Sequence, residues 1–336
     1  MSKPMTSAVQ PFIMPYAEAF DITSSAGPSF RISVGFPPSY ASSDRQYPVL
    51  YVLDAHSYFA TVLEIARLRP LYAEIEELVV VGIGYPLSID LSTYGARRPI
   101  DDELIAGARR TYDFSTAEWD LSTPLGRVAK GVFAALGQPV RLGGAPALLD
   151  FISDDLQPLI NERYRVDPAN QGLFGDSAGG NFVGYALFRR PEAFAKYICV
   201  SPGFAYNDWE VFRLEEEYAA GHDDLPVTLY LAAGSNEMQQ MAIGELVSGT
   251  ARMAEKLYQR GYPNLRLTTE ILPGKTHLTA TTDALHRGLE VCWPGSPAPW
   301  DAALIEKALR PDTGVPADPE AGFPGTVANQ SEPSDR

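Results

Sequence analysis

The feature that most constrains the fold is a set of short apolar runs separated by longer stretches with helical periodicity. Three runs, VLYVL, LVVVGIG and TLYLAAG, are apolar throughout, as expected of strands that are covered on both faces. The predicted strands are residues 30–36, 49–54, 78–85, 172–176, 197–201, 227–234 and 265–272. The predicted helices are residues 144–164, 178–189, 244–261 and 280–293. This alternation predicts an α/β fold whose central sheet is mostly parallel and has helices on both faces.

The 336 residues are interpreted as one folded domain, residues 19–310, with a short extension, residues 1–18, before it. Residues 88–143 and 203–225 do not follow the strand–helix alternation, and they are predicted to be lid-like insertions at the carboxyl ends of strands. The acidic, Pro- and Gly-rich segment 311–336 contains few residues that could be buried, so a disordered tail is predicted there.

Charge and cysteine content exclude several classes of function. The chain carries 27 Lys and Arg against 42 Asp and Glu, a net charge of −15 that disfavours nucleic acids and anionic membranes as partners. Cys199 and Cys292 are too few for a disulfide framework or a four-cysteine zinc site, and both are predicted to be buried free thiols. The first residues lack the layout of a signal peptide, and no apolar run approaches the length of a membrane span. A soluble cytoplasmic protein is therefore expected, with its oligomeric state left open.

The most informative motif is Gly175-Asp176-Ser177-Ala178-Gly179, which has the form G-x-S-x-G. It lies between a predicted strand and a predicted helix, the context in which this motif forms a nucleophile elbow. The sharp turn would lift the Ser177 hydroxyl above the sheet, and glycines on both sides would relieve crowding between strand and helix. Ala178 would begin the helix, so its N–H is predicted to donate to a developing oxyanion. A turn built of small residues without catalytic function is the alternative.

A serine nucleophile needs a base, and the chain has four histidines. In α/β-hydrolases the order along the chain is serine, acid, histidine, which excludes His56. His286 lies within a predicted helix and His222 lies in a predicted lid. His277 follows a predicted strand and a Gly-containing loop, so it is the predicted base, with a structural histidine as the alternative.

The acid is expected just after the strand that ends at residue 234. Glu237 is the carboxylate at that position, and it is predicted to hold the imidazole of His277 in the required tautomer. Asp208 and Asp283 are alternatives, as is a Ser–His dyad without an acid. A second oxyanion donor is expected in the loop after the strand 49–54, where Ala55 N–H is the candidate. His56 is either a pocket-lining side chain or a locally packed one.

These motifs together resemble the branch of the α/β-hydrolases known as the putative esterases. Within that branch the chain is most similar to hydrolases that cleave enterobactin-type siderophore lactones. The resemblance spans residues 19–293 and is carried by YPVLYVLDAHSYF, VVVGIGYP, RTYDFS, GGAPALLDFISDDLQPLINERYRVDP, the Ser177 motif and SPG.

The resemblance implies that Ser177 and His277 carry catalysis, that the segment at Ala55 supplies an oxyanion N–H, and that Arg110 lies near the pocket. Arg110 is then either a clamp for a substrate carboxylate or catecholate, or a structural partner of Asp113. The chain departs from the family pattern in three places. The family often has Gly at the position of Ala55, and His is common at the position of Asp176. After Ser201-Pro202, this chain has GFAYNDW where the relatives usually have an aromatic run.

The predicted function is therefore a serine carboxylic-ester hydrolase acting on a small-molecule ester through an acyl-enzyme, without a metal or organic cofactor. An acyltransferase or a thioesterase, of the S-formylglutathione hydrolase kind, would use the same site. A non-catalytic binding protein on a hydrolase scaffold is the remaining alternative.

Overall fold

The apolar runs of the sequence form the strands of one sheet in the computed structural model, which describes residues 14–25, 27–86, 99–117, 120–240 and 244–296. Within these ranges eight strands are ordered β1-β2-β4-β3-β5-β6-β7-β8. Their bounds are Ala17–Thr23 (β1), Ser29–Gly35 (β2), Tyr47–Val52 (β3), Val79–Gly84 (β4), Val166–Asp176 (β5), Lys196–Val200 (β6), Thr228–Gly234 (β7) and Arg266–Leu272 (β8). β1 and β2 pair antiparallel and β2 joins β4 antiparallel, whereas every pairing from β4 to β8 is parallel.

Helices cover both faces of this sheet. They are Ala55–Leu68 (α1), Pro99–Asp113 (α2), Pro124–Ala135 (α3), Ala145–Asp150 (α4), Gln157–Arg163 (α5), Ala178–Arg189 (α6), Tyr206–Ala219 (α7), Glu237–Gln240 (α8), Leu246–Arg260 (α9) and His277–Cys292 (α10). None of the helices within the described ranges combines the length and the hydropathy that a transmembrane span requires.

The hydrophobic core has two layers, one on each side of the sheet. Alternate residues of β3 enter different layers: Tyr51 packs in the layer that contains Phe182 of α6, and Leu50 packs in the layer that contains Leu285 of α10. β3 and β4 are buried along their whole length because both of their faces are covered. The predicted α/β fold with a mostly parallel sheet and helices on both faces is confirmed.

Several elements differ from the sequence prediction. β1 was not predicted, and it begins inside the predicted extension 1–18; it is an exposed edge strand whose residues include acidic side chains. The predicted helix 144–164 is interrupted by a π-helical stretch, Phe151–Leu156, between α4 and α5. Residues 1–13, 87–98 and the predicted tail 311–336 lie outside the described residues.

The two predicted insertions contain regular helices in their described parts. α2 and α3 lie within residues 88–143, and α7 lies within residues 203–225. α7 starts with three residues of positive φ, Asn207, Asp208 and Trp209, so regular right-handed helix begins only after them. Cys199 and Cys292 are free and buried, as predicted.

Candidate active site

Ser177 occupies the turn between β5, which ends at Asp176, and α6, which begins at Ala178. Its backbone has φ 59° and ψ −117°, a conformation that costs a non-glycine residue of the order of 1–3 kcal/mol and is found mainly at functional sites. The neighbouring structure holds this turn in place, because Ser177 N–H donates to Val200 O at 3.0 Å and Gly203 N–H donates to Ser177 O at 3.2 Å. The predicted strand–turn–helix context of the motif is therefore present.

The crowding at this turn falls on one of the two motif glycines and not on the other. A Cβ added to Gly175 would lie 2.3 Å from the carbonyl oxygen of Gly179, so Gly175 is needed as expected. A Cβ on Gly179 itself would meet ordinary contacts, the nearest at 3.5 Å, so the prediction for that position is wrong. The second crowded position is Gly180, where a Cβ would lie 2.7 Å from Val200 O.

His277 is the first residue of α10, whereas the sequence placed it in a loop before that helix. Thr276 caps the helix, because its hydroxyl accepts from Thr279 N–H and the Thr279 hydroxyl accepts from Thr276 N–H. This capping box fixes the start of α10 and hence the point from which the imidazole projects. The side chain of His277 is 20% exposed, so it can be reached from solvent.

Glu237 begins α8, three residues after the end of β7, and its side chain is fully buried. His277 Nδ1 donates to Glu237 Oε1 at 2.6 Å. Glu237 Oε2 accepts from the Ser201 hydroxyl and from Gly234 N–H, both at 3.0 Å. With four lone-pair directions and three donors, this carboxylate is well suited to carry a negative charge away from water.

The alternative acids do not occupy this position. Asp208 is 98% exposed at the start of α7, with Arg213 at 3.8 Å. Asp283 pairs with Lys275 at 2.6 Å. Among the described residues, Glu237 is the carboxylate bonded to the imidazole of His277.

Ser177 and His277 line the same cavity, which has a volume of about 220 Å³. In the part of the chain that the structure describes, the Ser177 hydroxyl and the His277 ring form no direct hydrogen bond. Catalytic hydrogen bonds are often long without substrate and tighten in the complex.

The charge around His277 favours its protonated form. Burial alone would lower the pKa of the imidazole, but the hydrogen bond to Glu237 and the charges of Asp176 and Glu237 outweigh burial, and the pKa is raised. Arg110 acts in the opposite direction from the other side of the cavity. An imidazolium formed during a reaction would therefore be stabilised here.

Two helix N-termini meet at the cavity. Ala178 is the first residue of α6, and Ala55 is the first residue of α1, which starts directly after β3 where a loop was predicted. First-turn N–H groups of a helix have no partner within the helix, so they are available to an anion. Asp54, the residue before Ala55, has φ 50° and makes the sharp turn from β3 into α1.

Arg110 is paired with Asp54 and not with Asp113, so the structural partner suggested from the sequence is wrong. The guanidinium donates from Nε to Asp54 Oδ1 at 3.0 Å and from Nη2 to Asp54 Oδ2 at 2.9 Å. Asp113 instead lies 3.8 Å from Nη2 of Arg109. Arg110 lines the cavity, as does His56, which is exposed and whose ring centroid lies 6.0 Å from that of Tyr85.

Sequence reasoning noted Asp176 only as a departure beside the nucleophile and did not assign its partners. The Asp176 carboxylate is buried and accepts from the Tyr58 hydroxyl and the Thr281 hydroxyl, both at 2.8 Å. Tyr58 lies on α1 and Thr281 lies on α10, so no local sequence pattern links either of them to residue 176. Within the described ranges, no three His, Cys, Asp or Glu side chains are grouped so as to hold a metal ion.

Comparison with known proteins places the chain in a family. The sequence profile of the family described as "Putative esterase" matches residues 135–264. The chain is 30% identical over 238 residues to the siderophore triacetylfusarinine C esterase of Aspergillus fumigatus, which covers 68% of this chain and 70% of that protein. It is 28% identical over 258 residues to the ferri-bacillibactin esterase BesA of Bacillus subtilis, over 75% of this chain and 81% of that one.

A solved structure agrees with this assignment. The BES protein from Bacillus cereus is 25% identical and superposes with a TM-score of 0.69, covering 86% of this chain and 99% of its own. The sheet order, the strained serine after β5 and the identity to curated esterases over most of both chains lead to one conclusion: the chain belongs to the putative esterase family of α/β-hydrolases.

Proposed function

We propose that the protein is a serine carboxylic-ester hydrolase in which Ser177 is the nucleophile, His277 the general base and Glu237 the acid that orients the base. The observation that carries this proposal is the 2.6 Å bond from His277 Nδ1 to the buried Glu237, together with the cavity that both His277 and the strained Ser177 line. Membership of an esterase family supports it independently.

The first step is attack of Ser177 Oγ on the carbonyl carbon of an ester. The serine proton passes to His277 Nε2, the nitrogen that remains available because Nδ1 donates to Glu237. The hydrogen bond to Glu237 and the charges of Glu237 and Asp176 stabilise the imidazolium that results, and they therefore raise the pKa of His277.

The carbonyl oxygen becomes an oxyanion during this step. The N–H groups of Ala178 and Ala55 are the proposed donors, since each begins a helix and the neighbouring residues Ser177 and His56 line the cavity. Loss of one such donor typically raises the barrier by about 2.7–4 kcal/mol. The imidazolium then gives its proton to the alkoxy oxygen of the ester as the C–O bond breaks, and the alcohol leaves. Water attacks the acyl carbon and gives a proton to His277, which passes it to Ser177 Oγ as the bond between Oγ and the acyl group breaks and the acid is released.

Siderophore esters are the proposed substrate class. Two curated relatives are named esterases of triacetylfusarinine C and ferri-bacillibactin. The cavity at Ser177 is bordered by exposed side chains, among them Leu278 at 73% exposure, so a substrate larger than 220 Å³ can extend beyond the cavity. Arg110 lies in the wall of this cavity, where its guanidinium is paired with Asp54.

The test is an ester panel assayed with the wild type and with Ser177→Ala. The panel contains p-nitrophenyl acetate and butyrate, bacillibactin and triacetylfusarinine C with and without iron, with product masses recorded. We expect wild-type hydrolysis of a siderophore ester and loss of all ester cleavage in Ser177→Ala, with circular dichroism unchanged. Ester cleavage by Ser177→Ala at near wild-type rate would refute the nucleophile.

The product masses also separate the two alternative activities. An acyltransferase would form a new ester when an alcohol is added, and a thioesterase would prefer S-formylglutathione over every oxygen ester in the panel. A hydrolase yields the free acid in both cases.

A further inference from the structure

We propose that Asp176 is a positioning residue for the reaction, whose carboxylate joins the three elements that carry the nucleophile, the base and one oxyanion donor. This inference rests on the proposed function, and it assigns a role to the residue that departs from the family pattern beside the nucleophile.

The contacts of Asp176 link three elements at one point. The residue itself ends β5 and precedes Ser177 directly. Its Oδ2 accepts from the hydroxyl of Tyr58 on α1, and its Oδ1 accepts from the hydroxyl of Thr281 on α10, each at 2.8 Å. The side chain is buried, so water does not compete for these bonds.

Each linked helix carries a proposed catalytic group in its first turn. α10 begins with His277, and the Thr281 hydroxyl that donates to Asp176 also lies 3.1 Å from His277 O. α1 begins with Ala55, three residues before Tyr58, whose ring packs edge-on against Phe174 of β5. A shift of either helix relative to Ser177 therefore requires one of the Asp176 bonds to lengthen.

The charge of Asp176 acts on the base as well. It faces His277 from the elbow and is one of the groups that raise the pKa of the imidazole. The other titratable or charged groups that it faces are Tyr58 on α1, Arg110 on α2, Cys199 on β6 and Tyr206 on α7. Burial raises the pKa of Asp176 itself to about 6, with His277 and the two hydroxyl donors opposing that rise. The two hydroxyl groups that donate to Asp176 match the acceptor-only character of an ionised carboxylate.

Asp176→Asn separates the charge from the contacts. The amide keeps an oxygen acceptor for one hydroxyl, and its NH₂ can donate to the other hydroxyl, which rotates to accept. Removal of the negative charge makes His277 easier to deprotonate, so the acid limb of the kcat/KM profile should move to lower pH by about 0.5–1 unit. Asp176 and His277 interact, so the acid limb reports an apparent pKa of the pair, and the shift is obtained by comparing the complete pH profiles of variant and wild type.

Tyr58→Phe and Thr281→Val remove the contacts and leave the charge. Each should lower kcat by about 10–100-fold with a much smaller change in KM, because a misplacement of about 1 Å is sufficient for such a loss. The matched control is Asp167→Asn at the opposite end of β5, where Oδ1 accepts from Ala169 N–H. This control should leave both the pH profile and kcat unchanged.

Two results would overturn the proposal. One is a pH profile of Asp176→Asn that superimposes on the wild type, and the other is unchanged kcat in both Tyr58→Phe and Thr281→Val. Reduced melting temperature with unchanged kcat and profile would identify a purely structural carboxylate. A failure of the proposed function is recognised separately, because Ser177→Ala would then retain ester cleavage, whereas these outcomes require an active wild type and an inactive Ser177→Ala.

Discussion

Replacement of Glu237 by glutamine tests the proposed acid with almost no change in shape. Glu237 Oε2 accepts from the Gly234 backbone N–H and from the Ser201 hydroxyl, while Oε1 accepts from His277 Nδ1. Glutamine can supply its oxygen either to Gly234 and Ser201 or to His277, and its NH₂ group then faces the other partner. The activity of the variant depends on which partner the NH₂ group faces.

The backbone N–H of Gly234 is a fixed donor, so an NH₂ group on that side would leave a buried donor without an acceptor, at about 1–3 kcal/mol. The imidazole can instead change tautomer at small cost and accept the NH₂ proton at Nδ1. The glutamine oxygen should therefore face Gly234, and His277 should carry its proton on Nε2. In that tautomer the ring cannot take the proton of Ser177.

The expected loss of kcat for Glu237→Gln is about 10⁴-fold, the size seen when a triad carboxylate becomes an amide. At 1.36 kcal/mol per factor of ten, this loss corresponds to about 5.4 kcal/mol of barrier. Initial rates with p-nitrophenyl butyrate across pH 5–9 measure it, and thermal unfolding monitored by circular dichroism verifies that the variant is folded.

Asp283→Asn is the matched control, because this aspartate lies on α10, the helix that begins with His277, and pairs with Lys275. It should keep nearly all activity. If folded Glu237→Gln retained more than a tenth of wild-type kcat, the glutamate would not be acting on the base and the tautomer argument would be wrong.

Three further perturbations address the base, the elbow and the packing of the helices. Because the pKa of His277 is raised and the base must be neutral, kcat/KM should fall as the pH is lowered through a midpoint above the ordinary histidine pKa of about 6.5. A midpoint below that value would contradict the effect of Asp176 and Glu237 on the imidazole. Gly175→Ala places a Cβ 2.3 Å from Gly179 O, so urea unfolding should show a free energy of unfolding lower by about 1–3 kcal/mol, together with low activity. An unfolding midpoint equal to that of the wild type would show that the added methyl group meets no crowding. Arg260→Ala removes the side chain that donates two hydrogen bonds to the fully buried Glu215, and it should lower the free energy of unfolding by about 3 kcal/mol. This is the lower end of the range for a broken buried pair, because Lys256 of the same helix remains 3.2 Å from Glu215. A loss below about 1 kcal/mol would mean that Lys256 compensates completely.

The central strands were predictable because their apolar composition reflects burial on both faces. The edge strand β1 was not, because a strand with one neighbour has exposed positions and its AEAFDIT sequence carries acids that resemble a loop. α1 was missed for a different reason. It starts directly at Ala55 after a left-handed Asp54, without the loop that usually separates a strand from its helix.

The candidate site shows a similar division. Chain order was sufficient to predict that Glu237 and His277 pair, since each follows the end of a strand, and their bond joins residues 40 positions apart. The pairing of Arg110 with Asp54 could not be predicted. Their bond joins residues 56 positions apart on α2 and on the turn after β3, and the sequence holds a nearer acid, Asp113, that pairs elsewhere.

The placement of the site across the sheet has a consequence for how activity arises during folding. Ser177 follows β5, Glu237 follows β7 and His277 follows β8, the strand at the far edge. A chain emerging from the ribosome that has assembled only the strands up to β7 holds the proposed nucleophile without the proposed base. During synthesis, hydrolysis should therefore begin only after β8 and α10 have docked on the sheet.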